Sequence, residues 1–221
     1  MPSPSPLHPD PALKRRARRI FAKLARAYPD AHCELDFSSP YQLLCATILS
    51  AQCTDKSVNR ATPGLFAAYP TAEALARAKP AGVEKHIRSL GLYHNKARHL
   101  IGMAQALVAD HGGQVPRTRE ALVELPGVGR KTANVLLSNA FGLPGLAVDT
   151  HVLRVGKRLG FFESQDPVKV EHLLGALMPP EQWGQVSHWL IWHGRRTCGA
   201  RKPDCEGCVL KKDCPSRGLE A

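Results

Sequence analysis

The run Leu125-Pro126-Gly127-Val128-Gly129-Arg130-Lys131-Thr132-Ala133-Asn134 decides how this chain is read. Pro126 fixes one backbone dihedral and the two glycines admit conformations that a Cβ forbids, so the first five residues make a tight turn. A helix is expected from Arg130 to Phe141, because Ala133, Leu136, Leu137, Ala140 and Phe141 recur at helical spacing. Lys131, Asn134 and Ser138 share another face, which puts Lys131 in the first turn, directed away from the core. Amides at Gly127 and Gly129 and at the helix start, Arg130, form an anion site that suits a phosphate and reads no base sequence. Taken alone, the same turn could merely join two helices.

A cation at the positive end of a helix, beside Arg130, is disfavoured in its charged form. A lysine that gives up its proton more easily is a usable amine nucleophile, the requirement for attack on a sugar C1′ and Schiff-base formation. The bland reading of Lys131 is a solvated surface residue, so the chemistry needs a partner. Val148-Asp149-Thr150-His151-Val152 offers one, ahead of a helix with Val152, Val155 and Leu159 on one side. Asp149 stands at that helix start, where capping is the commonest role. An ionised Asp149 could also stabilise positive charge on a deoxyribose as a base leaves, or help to deprotonate Lys131. His151 could face the same site or be a hydrogen-bonded structural residue.

Working outward, apolar segments at helical spacing recur over Ala12–Tyr28, Tyr41–Ala51, Lys56–Ala68, Thr71–Ala78, Val83–Leu90, Lys96–His111 and Arg119–Leu125. They continue over Thr150–Leu159, Pro167–Met178 and Pro180–Trp192, separated by Pro and Gly stops. Alternating β-branched runs are scarce and no fixed period repeats, so an all-α fold is expected. In the first helix Lys14, Arg15, Arg18, Arg19 and Lys23 read as a solvated face. Residues 1–12, punctuated by five prolines, read as a disordered leader without the apolar core of a secretory signal.

The chain has 221 residues, with 30 Lys and Arg against 19 Asp and Glu, a formal charge of +11 that attracts polyanions. Nucleic acid is the first partner this implies. No stretch approaches the roughly eighteen apolar residues that span a bilayer, so no membrane association is expected. Of seven cysteines, Cys33, Cys45 and Cys53 are scattered, while Cys198, Cys205, Cys208 and Cys214 fall within seventeen residues. That distribution is unlike a disulfide framework and fits a reducing compartment. Spacing alone divides the four-cysteine tail between structural zinc and a four-iron cluster. Arg201, Lys202 and their basic neighbours could touch phosphates or simply keep the tail soluble.

Together these motifs resemble the endonuclease III family of helix-hairpin-helix DNA glycosylases with apurinic/apyrimidinic lyase activity, over roughly residues 30–214. The resemblance implies Lys131 as Schiff-base nucleophile, Asp149 as catalytic carboxylate and the four cysteines as ligands of a [4Fe–4S] cluster, which moves the metal reading away from zinc. Two further stretches match: Ser50-Ala51-Gln52-Cys53-Thr54-Asp55 and Gly91-Leu92-Tyr93-His94-Asn95-Lys96-Ala97. They imply DNA contacts, with Gln52 entering the gap left by an extruded nucleotide and Leu92 wedging between bases on the opposite strand. Gly127, Gly129, Arg130 and His151 complete the implied DNA-binding set.

The implied architecture is a six-helix barrel domain over 33–143 and an iron–sulfur cluster domain assembled from 13–32 and 144–221, with Lys131 and Asp149 on opposite walls of a cleft. The implied substrate is an oxidised pyrimidine in duplex DNA, followed by β-elimination on the 3′ side of the abasic sugar. A monomer in the cytoplasm, associated with the nucleoid, is expected. Within the superfamily, an adenine-excising relative carries no lysine nucleophile, so Lys131 argues against that alternative; a thymine-mismatch glycosylase is another. A non-catalytic protein that uses hairpin and tail only to grip phosphates is the rival from a different class.

Overall fold

The computed structural model describes residues 9–218. These contain eleven α-helices, one 3₁₀ turn at Pro180–Gln182 and no strand. The all-α expectation holds. The chain divides into two compact units, each with its own buried core. One is Cys33–Leu143; the other joins the segment ending at His32 to the segment starting at Pro144.

The Cys33–Leu143 unit holds α2 (Pro40–Leu49), α3 (Asp55–Ala68), α4 (Ala72–Ala76), α5 (Pro80–Ile87), α6 (Tyr93–His111), α7 (Arg119–Val123) and α8 (Arg130–Phe141). Of these segments α4 and α7 are short, with five residues each. Every residue from Leu43 to Leu49 is buried, so α2 is apolar on all sides and runs through the centre. It starts where Ser39 accepts a hydrogen bond from the Gln42 amide, with Pro40 in the first turn. Thr54, Thr71 and Thr118 cap α3, α4 and α7 in the same way. Helix α6 lies against α2, α4 and α5, while α8 packs on α2 and α7.

The other unit holds α1 (Pro11–Ala27), α9 (Thr150–Arg158), α10 (Pro167–Gly175) and α11 (Trp183–Arg196). Ile20, Phe21 and Leu24 of α1 join Val152, Val155, Leu159 and Leu190 in its core, where Phe21 stacks on Phe161 with centroids 5.5 Å apart. A Cβ on Gly156 would lie 2.5 Å from the Phe162 ring, so glycine is what lets α9 pack there.

Three expectations need correction. Asp10 caps α1 and Pro11 is its first residue, because a proline at that position loses no helical hydrogen bond; the leader's end is therefore helical, and residues 1–8 lie outside those described. The basic face of α1 is not simply solvated. Arg19 and Lys23 reach Asp213 at 2.9 and 2.6 Å, and Arg16 donates to the Gly160 and Asp213 carbonyls. These contacts and the fully buried Leu210 fasten the cysteine tail to the first helix. Finally, α6 begins three residues before Lys96, because Leu92 takes a left-handed conformation and turns the chain into the helix there.

Candidate active site and nucleic-acid interface

In the Cys33–Leu143 unit the hairpin between α7 and α8 is formed as its residues dictate. Gly127 has φ +80°, and a Cβ there would stand 2.9 Å from the His99 Cβ. Gly129 is the N-cap of α8 and, lacking a side chain, makes no capping bond. Its φ of −96° suits any residue, and a Cβ on it would meet nothing within 4 Å. Folding therefore requires a glycine at 127 and not at 129. Lys131 is exposed in the first turn of α8. Asn134, expected beside it on an outward face, is instead buried and accepts from Arg119 Nε at 3.2 Å, which ties α7 to α8 behind the hairpin. A buried amide must find a partner, and α7 supplies it.

Gln52 and Leu92 share an unusual property. Among the described residues they are the non-glycine positions with positive φ, +56° and +58°. Leu92 keeps 55% of its surface exposed and Gln52 is exposed as well. A strained backbone carrying an exposed side chain is a recurring signature of functional positions. Close to both, Lys96 Nζ donates to Cys53 Sγ at 2.9 Å, and Lys96 is only 3% exposed. Neither residue was singled out above. The available signal was positional: Lys96 lies four residues before Leu100, on the buried stripe of α6, where a charge is out of place.

In the other unit Asp149 caps α9, its Oδ1 accepting from the Val152 amide at 2.8 Å. Oδ2 makes no hydrogen bond among the described residues. His151 is half-buried, and Arg154 Nη2 sits 3.1 Å from its Nδ1. Burial pushes the imidazole below its usual value against the pull of Asp149, while Arg154 and Arg195 add to the depression. A hydrogen bond to the Gly194 backbone pulls the other way, so the ring is held between Arg154 and Gly194.

The four tail cysteines line one pocket with Val155, Arg158, His193 and Leu210. Burial pushes the Cys208 and Cys214 thiols up, and the charges of the other cysteines in the set push the same way, so the four sulfurs sense one another. Donors point at them: the Leu210 amide at 3.3 Å from Cys208 Sγ and Arg158 Nη1 at 3.3 Å from Cys198 Sγ. Arg154 and Arg158 also bind the carbonyls of Gly194, Cys198, Gly199 and Ala200, which shapes the loop after Cys198. His193 Nε2 lies 3.7 Å from Cys208 Sγ, and burial takes its imidazole down to about 4. Among the described residues no three His, Cys, Asp or Glu side chains converge to hold a single metal ion. No described helix is long and apolar enough to cross a membrane.

Comparisons with known proteins agree with this geometry. Residues 45–180 match the HhH-GPD superfamily base excision DNA repair protein family. Endonuclease III of Synechocystis sp. is 48% identical over 92% of this chain and 93% of its own length. The solved structure of a non-covalent endonuclease III–DNA complex superposes with a TM-score of 0.87 at 46% identity, covering 91% of this chain and 95% of that one. A trapped endonuclease III–DNA covalent intermediate superposes with the same score, identity and coverage. Hairpin, capped carboxylate, four-cysteine tail and these likenesses together place the chain in the endonuclease III family of HhH-GPD base excision repair proteins.

Proposed function

We propose that this protein is a bifunctional DNA glycosylase and apurinic/apyrimidinic lyase that removes oxidised pyrimidines from duplex DNA. The observation that carries the reading is Lys131, an exposed primary amine in the first turn of α8, directly behind a hairpin built to hold a phosphate. Gly129 supports it: neither its backbone nor its protein neighbours demand glycine, so the open space over it is left for something that approaches from outside.

The chemistry follows from an amine. Lys131 Nζ, as the free base, attacks C1′ of the extruded nucleotide, and the glycosidic electron pair leaves with the base, which takes up a proton. Opening of the sugar ring gives a protonated imine between Nζ and C1′. That imine acidifies the C2′ proton, and its removal expels the 3′ phosphate. Water then hydrolyses the imine and returns the amine. Asp149, whose Oδ2 makes no hydrogen bond among the described residues, stabilises the positive charge that develops on the sugar or takes the lysine proton. Gly127, Gly129 and Arg130 hold the backbone, Gln52 and Leu92 enter the base stack, and His151 meets the DNA from the first turn of α9. Such a protein works where the chromosome is, in the cytoplasm.

The donor set of Cys198, Cys205, Cys208 and Cys214 fits a [4Fe–4S] cluster. All four donors are sulfur, they line one pocket, and amide and guanidinium groups point at two of them. A single tetrahedral zinc would need thiolates drawn in to about 2.3 Å from one centre, whereas a cubane takes ligands spread more widely. The cluster would supply a fastening for the tail, and no step above passes through it.

The test uses a duplex with one thymine glycol, with borohydride added during turnover. Wild-type protein is expected to release the base, nick the strand 3′ to the lesion and form a covalent adduct, whereas Lys131→Ala forms none. Wild-type protein that binds this DNA yet neither nicks it nor forms an adduct would contradict the reading and favour a phosphate-gripping module.

A further inference from the structure

The two left-handed residues are more than a hundred degrees from the φ of ordinary chain, a conformation that L side chains disfavour. Such a conformation persists only where the surroundings over-determine it. Gln52 is held in a turn closed by the Cys53 amide, which donates to the Ser50 carbonyl at 3.0 Å. Leu92 is held at the mouth of α6 by the Lys96 amide, which donates to its carbonyl at 3.0 Å. These are two separate pieces of chain, and their local hydrogen bonds do not join one to the other.

Both rest on one apolar core, and among the described residues a side-chain hydrogen bond joins them. Lys96 and Cys53, 43 residues apart in sequence, meet at 2.9 Å between Nζ and Sγ. Cys53 directly follows Gln52, and Lys96 sits one helical turn after Leu92. The ammonium is buried, so a displacement of the turn away from α6 would strip it of an acceptor in a place that water does not reach readily. The bond therefore resists relative movement of the two segments more strongly than an exposed pair would.

We infer that Lys96 and Cys53 are positioning residues, a latch that fixes the separation of Gln52 and Leu92 before DNA arrives so that both enter the duplex together. This rests on the proposed role of Gln52 and Leu92 in DNA. Neither latch residue touches the reacting atoms; each acts through the residue it holds. Prepaying the order of two probes spares that cost at the moment the nucleotide is extruded.

The test compares full-length Lys96→Met, Cys53→Ala and Cys53→Ser with wild type in two assays. The first is single-turnover release of thymine glycol. The second is the fluorescence of 2-aminopurine placed opposite a tetrahydrofuran abasic analogue, which rises when the opposing base is unstacked. Lys96→Met and Cys53→Ala are expected to slow base release about tenfold and to lose most of the fluorescence rise, with affinity for undamaged duplex within about twofold of wild type. Cys53→Ser, which restores an acceptor, is expected to recover most of the rate. Lys96→Met combined with Cys53→Ala should be no slower than Lys96→Met alone, because both remove the same bond.

Wild-type rates in Lys96→Met, multiplicative losses in the double variant, or no recovery by Cys53→Ser would overturn the latch. An equal loss of affinity for undamaged DNA would overturn it too, since that marks a general loss of structure. If wild-type protein fails to form the borohydride adduct, the proposed function falls first. If it forms the adduct and Gln52→Ala is slow while the latch variants are not, the latch alone falls.

Discussion

Asp149 carries two roles that substitution can separate. One carboxylate oxygen caps α9 through the Val152 amide at 2.8 Å, and the other makes no hydrogen bond among the described residues. Asp149→Ala removes the cap and costs about 1 kcal/mol of stability. Asp149→Asn keeps an oxygen for the same amide and loses only the attraction of a negative charge to the helix start, about 0.3–1 kcal/mol. In a chain of this size about 1 kcal/mol lowers the melting temperature by roughly 2–4 °C. Asparagine should therefore melt close to wild type and alanine a few degrees lower. Base release tells a different story, since asparagine cannot accept a proton or oppose positive charge on the sugar. Both variants should lose about 10²–10³-fold in single-turnover excision, the scale of removing one preorganised electrostatic group. Melting by circular dichroism alongside excision of a single lesion makes the comparison. Activity that tracks melting, with asparagine nearly as fast as wild type, would show that Asp149 is only a cap.

Other consequences follow from the same contacts. Gly127→Ala forces an L side chain into φ +80° and pushes its Cβ against His99, so it should cost at least about 1–2 kcal/mol and weaken binding to all duplexes alike, measured by melting and by titration of undamaged DNA. Leu92→Gly relieves left-handed strain, which offsets the entropy that glycine adds to the unfolded chain; melting should hold or rise by up to about 1 kcal/mol while lesion excision falls about tenfold. Bonds from Lys23, then Arg19, hold the Asp213 carboxyl below its ordinary value. Its contribution is therefore complete above that value and is lost as pH falls through the lower folded value. Asp213→Asn should destabilise the protein at pH 7 and make no difference in strong acid, as read from denaturant unfolding at both pH values.

Local pattern made much of this molecule legible. The Pro-Gly-Val-Gly turn dictates a hairpin whatever surrounds it, and an aspartate ahead of an amphipathic run is a cap by its own hydrogen bonding. The apolar spacing from Arg130 to Phe141 gives the bounds of α8 without adjustment. What local pattern conceals is pairing across distance. Lys23 and Asp213 are 190 residues apart, so a basic stripe on α1 reads as solvated until the tail folds onto it. Asn134 looks outward on a helical wheel and is buried because α7 covers it. The left-handed backbone of Gln52 and Leu92 violates the propensity of both residues and is imposed by tertiary structure. Lys96 shows the one visible discord, a charge on a buried stripe, but its partner Cys53 belongs to another helix junction.

The proposed chemistry depends on which amine bonds to the sugar. Wild-type protein reduced with borohydride on abasic duplex, digested with protease and nuclease, and sequenced by tandem mass spectrometry locates it directly. The deoxyribose remnant is expected on the peptide containing Lys131 and absent from all others. The same mass added to another lysine, or to the N-terminal amine, with Lys131 unmodified, would contradict the account.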